Sequence, residues 1–186
     1  MSDGISGYFA APYWEPLCAV GSHGDGRVNA QICVSVYNAS IVPDLPRLFV
    51  VLWNPNYTCT LAKQSGSLAV TLLSGEQLEL VEPLGIRSGH EGDKLGGLRY
   101  ELTASGNPWF PGGVGYADCD VRQMFELGDA TLFICSVRKE ERTGGAEPLT
   151  WSQAQKLLDL RVLDAYKRKF AGDVERARAD MQRWLR

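Results

Sequence analysis

Two long β-patterned runs, Val114 to Leu127 and Ala130 to Glu140, meet at Gly128-Asp129, and that junction restricts the fold more than any other stretch. A two-residue Gly/Asp connection between β-rich segments signals a hairpin, because a tight turn matched to strand twist needs residues that tolerate positive φ. The upstream chain offers further strands. Pro16 to Gly21 reads as a strand ending in the turn Ser22 to Arg27. Gln31 to Tyr37 alternates Ile32, Val34 and Val36 against Gln31, Cys33 and Ser35, the period of a half-buried strand. Arg47 to Trp53 is apolar enough to be buried on both faces. Leu68 to Leu73 and Leu98 to Ala104 complete the set. These runs imply a mainly β, closed sheet, since closure removes exposed edges.

Helical signals are short and sit between these strands. Thr58 to Gln64 reads as a helix stopped by Gly66, a residue suited to the position just past a helix end. Glu76 to Leu84 is a second candidate, followed by the glycine-rich loop Gly85 to Gly97. From Thr150 the pattern changes. Thr150 and Gln153 form a capping box, and a helical period runs through Lys169. Gly172-Asp173 reads as its stop and the cap of a last helix carrying Val174, Ala177, Met181, Trp184 and Leu185. Residues 1–15, rich in glycine and aromatics, are expected to lie as an arm over the sheet or a partner subunit.

A length of 186 residues suits one domain with a terminal appendage. The net charge of −3 gives no electrostatic case for nucleic acid or an acidic membrane surface. The five cysteines fall mostly in apolar runs, with no Cys-x-x-Cys. They are expected to be buried free thiols, which favours a reducing cytoplasm. The first ten residues lack the pattern of a signal peptide, and Leu48 to Trp53 is too short to span a bilayer. His23 and His90, the only histidines, lie in glycine-rich loops and support neither a hydrolytic triad nor a zinc site. No Gly-x-Gly-x-x-Gly follows a strand, which argues against a Rossmann site. The basic residues of the tail, Lys167, Arg168, Lys169, Arg176, Arg178, Arg183 and Arg186, fit a solvated face. The alternative is a dock for an acidic partner such as an oxygenase or electron carrier.

One pair of polar positions points to a ligand. Asn29 stands at a strand entrance and Thr58 opens a helix. Helix N-termini offer unpaired N–H groups and a dipole that favours anions, so this pair suits a phosphorylated cofactor.

The motif order resembles the flavin reductase-like family of FMN-binding split β-barrels. Asn29, Ser40, Pro43, Pro46 and Asn54-Pro55-Asn56-Tyr57-Thr58 carry the first part. Ser88-Gly89-His90-Glu91-Gly92-Asp93-Lys94, Ala117-Asp118-Cys119, the Gly128-Asp129 turn and Pro148-Leu149-Thr150-Trp151 follow in the family's order. The resemblance covers about residues 16–151. It implies a split barrel with short helices over residues 1–150 and a two-helix extension over 151–186. It also implies FMN, or the related FAD, at a homodimer interface, with NAD(P)H as electron donor. Carried over by position, Asn29 faces the flavin ring or ribityl chain, and Thr58 and Lys94 hold the phosphate. Trp151 stacks near the isoalloxazine, Gln31 and Ser35 share the face of Asn29, and Ala30, Asn56, Tyr57 and Ser88 complete the implied set. Such chemistry needs no catalytic side chain, because the cofactor carries it.

Two departures stand out. Ala130 replaces the histidine of the family's Gly-Asp-His turn, and Ile32 and Val34 replace a threonine and a serine. The expected function is a flavin reductase. The alternatives are a flavin-binding electron-transfer protein fed by a partner, or a non-catalytic barrel used as a binding subunit.

Overall fold

The computed structural model describes residues 16–143 and 145–185; the N-terminal arm expected over 1–15 lies outside them. The strands are β1 (Cys18–Gly24), β2 (Arg27–Cys33), β3 (Val36–Asn38), β4 (Arg47–Trp53), β5 (Ser67–Leu72), β6 (Glu101–Leu102), β7 (Pro108–Trp109), β8 (Gly115–Glu126) and β9 (Ala130–Arg142). The helices are α1 (Tyr57–Ser65), α2 (Val81–Gly85), α3 (Trp151–Leu157) and α4 (Leu160–Trp184), and a 3₁₀ turn, Gly75–Leu80, leads into α2. Among the described residues, seven strands form one antiparallel sheet in the order β2-β1-β5-β8-β9-β4-β3, and β6 pairs with β7.

The sheet's two edge strands are consecutive in the chain, so the sheet curls until its ends meet. At the seam the Val51 N–H donates to the Ser35 carbonyl at 3.0 Å. This explains why the run Gln31 to Tyr37, expected as one strand, is two. β2 pairs with β1, then the chain crosses at Val34-Ser35 and continues as β3 on β4. Alternation along β1 separates two cores. Cys18 and Val20 point inward with Cys33, Val50, Leu52, Val70 and Phe133. Leu17 and Ala19 point outward, against Leu80, Val81, Leu84, Leu95, Trp151 and Ala154.

The turns follow their residues. Asp25 and Gly26 both have positive φ, at 51° and 72°, in the two-residue β1–β2 hairpin, as a type I′ turn requires. Gly66, at φ 66°, closes α1 by donating to the Ala62 carbonyl at 3.1 Å. The β8–β9 hairpin turns where expected, with the Leu127 N–H on the Ala130 carbonyl at 2.8 Å.

Two other expectations are corrected. The strand expected over Leu98 to Ala104 contracts to β6, because Thr103 starts a tight turn, accepting from the Gly106 N–H at 2.9 Å. The tail does not break at Gly172-Asp173. α4 runs through it, and the break falls at Leu158-Asp159, where Asp159 Oδ1 caps α4 by accepting from the Arg161 N–H at 2.8 Å. Asp173 instead pairs with Lys169 and Arg176, both at 2.5 Å, which offsets part of the roughly 1 kcal/mol that a mid-helix glycine costs. Before that break, the expected Thr150 capping box forms, with Gln153 N–H on Thr150 Oγ1 at 3.2 Å and Thr150 N–H on Gln153 Oε1 at 2.9 Å.

Candidate functional site

Arg27, Asn29 and Gln31 share one face of β2, because side chains two apart on a strand point the same way. The next element on that side is α1. Asn29 and Thr58 are both buried, and Asn29 Nδ2 donates to Thr58 Oγ1 at 2.8 Å. Asn56 occupies the N-cap position of α1 but makes no side-chain cap, and no acidic residue stands in the first turn. The N–H groups and dipole of the helix start are thus uncompensated by its own side chains, the condition that favours an anion there.

The loop 86–93 folds across this helix start. Gly89 lies so close to β2 that a Cβ there would stand 2.6 Å from Asn29 Oδ1. His90 Nε2 is 3.2 Å from the Pro55 carbonyl, and its ring packs against Tyr57 with centroids 4.9 Å apart. The Arg27 guanidinium lies 4.7 Å from the centre of the Tyr57 ring and donates to the Gly89 carbonyl at 3.1 Å. Strand, helix start and loop therefore converge on one polar corner.

Two residues beyond Asn29 on the same face of β2, one atom lacks a partner. Gln31 Oε1 is buried and accepts no hydrogen bond among the described residues. An amide oxygen left in that state costs about 1–3 kcal/mol. A ligand that presents a hydroxyl or ring N–H removes the penalty.

A family model described as the flavin reductase like domain matches residues 11–157. The chain belongs to that family. Its curated relatives include the flavin reductase of Pseudomonas putida, 30% identical over 127 residues, or 66% of this chain and 70% of that protein. The high molecular weight rubredoxin of Moorella thermoacetica is 27% identical over 128 residues, covering 68% of this chain and 55% of the rubredoxin. The chain thus spans about half the length of that relative. Among solved structures, the FMN-binding protein from Thermus thermophilus with bound p-hydroxybenzaldehyde superposes with a TM-score of 0.62. It is 25% identical and covers 68% of this chain and 71% of that one. The curled antiparallel sheet with short helices and C-terminal helices is the split barrel expected from the sequence.

The flavin reductase-like residues singled out in the sequence distribute unevenly. Asn29 meets Thr58 at the start of α1, beside Asn56 and Tyr57, and Gln31 lies two residues further along the same face of β2. Ser88 lies in the loop above, its Oγ accepting from the His90 N–H at 3.3 Å. A flavin fits this group: Gln31 Oε1 offers an acceptor to a ribityl hydroxyl or ring N–H, and the uncapped helix start suits a phosphate. Ser35 lies at the seam, half-buried. The Ala30 side chain points to the opposite face of β2, into the outer core that also holds Trp151. Trp151 packs against Tyr166 with ring centroids 4.7 Å apart, and its Nε1 is buried without a partner among the described residues.

Lys94 is buried, and its ammonium donates to the Leu84 and Arg87 carbonyls at 3.1 and 3.2 Å. Burial, with a smaller contribution from the charge of Lys169, lowers its pKa to about 8. Two residues of the corner, Arg27 and His90, were not among the sequence candidates. Arg27 was legible, since it stands two positions before Asn29 on the same face. His90 was not, because a loop histidine carries no period.

All five cysteines are free and buried. Burial pushes the Cys33 and Cys135 thiols up to about 11 and about 12, so both stay protonated near neutral pH. Among the described residues no group of three His, Cys, Asp or Glu side chains is placed to hold a metal ion. None of the helices there is long and apolar enough to cross a membrane.

Proposed function

We propose that this domain is an FMN-binding flavin reductase, with FAD as the second candidate, that works as a cytoplasmic homodimer. The observation that carries the flavin site is the unpartnered, buried Gln31 Oε1 beside the Asn29–Thr58 pair and the uncapped start of α1. A bound flavin would supply the redox chemistry, with NAD(P)H as the electron donor. The protein's share is to bind and orient. Thr58 and the first-turn N–H groups of α1 would hold the phosphate end, Asn29 would order the ribityl chain and Gln31 the near edge of the ring, and the Gly89 loop would exclude water from one side.

A patch on the outer face of the sheet supports the homodimer. Phe49, Val51, Phe125, Leu132 and Ile134 lie together there by the β4–β9–β8 register, and Phe49 and Phe125 are exposed. Residues 1–150 form the flavin domain in this reading, and 151–186 a helical extension whose partner is an oxygenase or another electron acceptor.

A second reading has one observation in its favour. At the Gly128 turn, where the family's histidine is replaced by Ala130, α4 covers the backbone. A Cβ on Gly128 would stand 2.9 Å from Trp184 Cβ and 3.3 Å from Met181 Sδ. A nicotinamide site hindered there would leave a flavin-binding electron-transfer protein fed by a partner.

An absorbance titration with FMN and FAD, followed by anaerobic NADH and NADPH, separates these readings. Flavin bands that shift on binding and then bleach support the reductase. Bands that shift but stay oxidised move the assignment to electron transfer. An unshifted spectrum at high micromolar flavin contradicts both.

A further inference from the structure

We propose that Arg27 is the cation that holds the flavin phosphate, which makes this residue the source of selectivity for phosphorylated flavins over riboflavin. The inference rests on the flavin reading above and adds a residue to it.

The corner needs a cation, since a phosphate with two charges is held best by charge-assisted donors. Lys94 has its ammonium turned to the Leu84 and Arg87 carbonyls inside the protein. Arg27 has the opposite disposition. Its side chain is exposed, its guanidinium lies over Tyr57, the first residue of α1, and among the described residues one hydrogen bond engages it, to Gly89. A guanidinium has five N–H donors, so most remain for an incoming anion, in the planar fork that matches phosphate oxygens.

The order of groups along β2 gives the ligand a direction. Arg27, Asn29 and Gln31 follow one another on one face, about 13 Å from first to last at strand spacing. Charge comes first, next to the helix start. An amide bonded to Thr58 follows, and then the buried acceptor without a partner. That sequence suits a phosphate, a polyhydroxyl chain and the near edge of a ring. The bond from Arg27 to the Gly89 carbonyl ties the covering loop to the same cation, so phosphate binding and loop position are coupled through one side chain.

The test compares FMN with riboflavin, which differ by the phosphate alone, in flavin fluorescence titrations of Arg27→Met, Arg27→Lys and Lys94→Met. The expected result is that Arg27→Met weakens FMN about 10- to 100-fold, the range for losing a charged hydrogen-bond partner. Riboflavin affinity stays unchanged, which also reports that the variant is folded. Arg27→Lys recovers part of the loss, and Lys94→Met leaves the FMN-to-riboflavin ratio intact. The proposal is overturned if Arg27→Met keeps that ratio, or if Lys94→Met is the variant that abolishes it. Failure of the unmodified protein to bind either flavin removes the underlying reading, and is distinct from a binding protein that is indifferent to Arg27.

Discussion

Two buried polar clusters lie in this domain, and they differ in one respect. Around Asp118, every donor finds an acceptor. Thr103 Oγ1 and Ser105 Oγ donate to the carboxylate at 2.9 and 2.7 Å, and Asn107 Nδ2 donates at 3.2 Å. Asn107 also bonds Ser67, and His23 Nδ1 stands 2.9 Å from its Oδ1. Around Asn29, the cluster stops short: further along the same strand face Gln31 Oε1 is buried too and has no partner among the described residues. A satisfied network is what a fold needs to hold its loops, whereas an incomplete one costs stability until something else fills it. The first cluster reads as structure and the second as a binding site.

The largest effect is expected in the satisfied cluster. Asp118→Ala strips Thr103, Ser105 and Asn107 of their acceptor, and the domain should lose about 3–5 kcal/mol in chemical denaturation. FMN affinity of the folded fraction should not change. A loss of affinity without a loss of stability would mean that this cluster also serves the ligand.

Lys94 falls between the two clusters, since its ammonium is bonded yet still penalised by burial. The unfolded chain keeps that proton to near the ordinary lysine value, while the folded one releases it near pH 8. Between those values the unfolded state binds more protons, so the Lys94 contribution to stability rises with pH. Measured against Lys94→Met, the stability difference should climb by about 2 kcal/mol from pH 8 to pH 10, given a pKa of about 8 in the fold. A difference that is flat or falls across this window would place the ammonium in water.

Gly89→Ala probes the roof of the incomplete cluster. The added methyl meets the Asn29 amide at 2.6–2.8 Å, and that amide is held by Thr58. FMN affinity should fall about tenfold, as expected for breaking one well-placed contact, with a smaller change in melting temperature. Unaltered affinity would show that the loop does not approach the ligand.

Much of the fold was legible in local chemistry. The Gly128-Asp129 hairpin, the Gly66 stop and the Thr150 cap are each written in two to four residues. The crossing at Val34-Ser35 was not legible, because it depends on Val51 arriving from the far side of a closed sheet. Nor was the continuity of α4, where Asp173 finds Lys169 and Arg176 and the helix packs Tyr166 against Trp151. In the site, polar residues on a strand and at a helix start marked Asn29 and Thr58, and the fold brings these two side chains into contact. The inward turn of Lys94 and the placement of Trp151 in the outer core depend on tertiary packing that no motif spacing encodes.

The comparison of the two clusters rests on Gln31, and the substitution Gln31→Met tests it most directly. Replacing a buried, unpaired amide with an apolar side chain of similar length should raise the stability of the flavin-free protein by about 1 kcal/mol. The same change should weaken FMN severalfold in an absorbance titration. Opposite signs in these two readings are the predicted result. A variant that is less stable and binds FMN as well as the unmodified protein would place Gln31 in the structural class and remove the marker of the site.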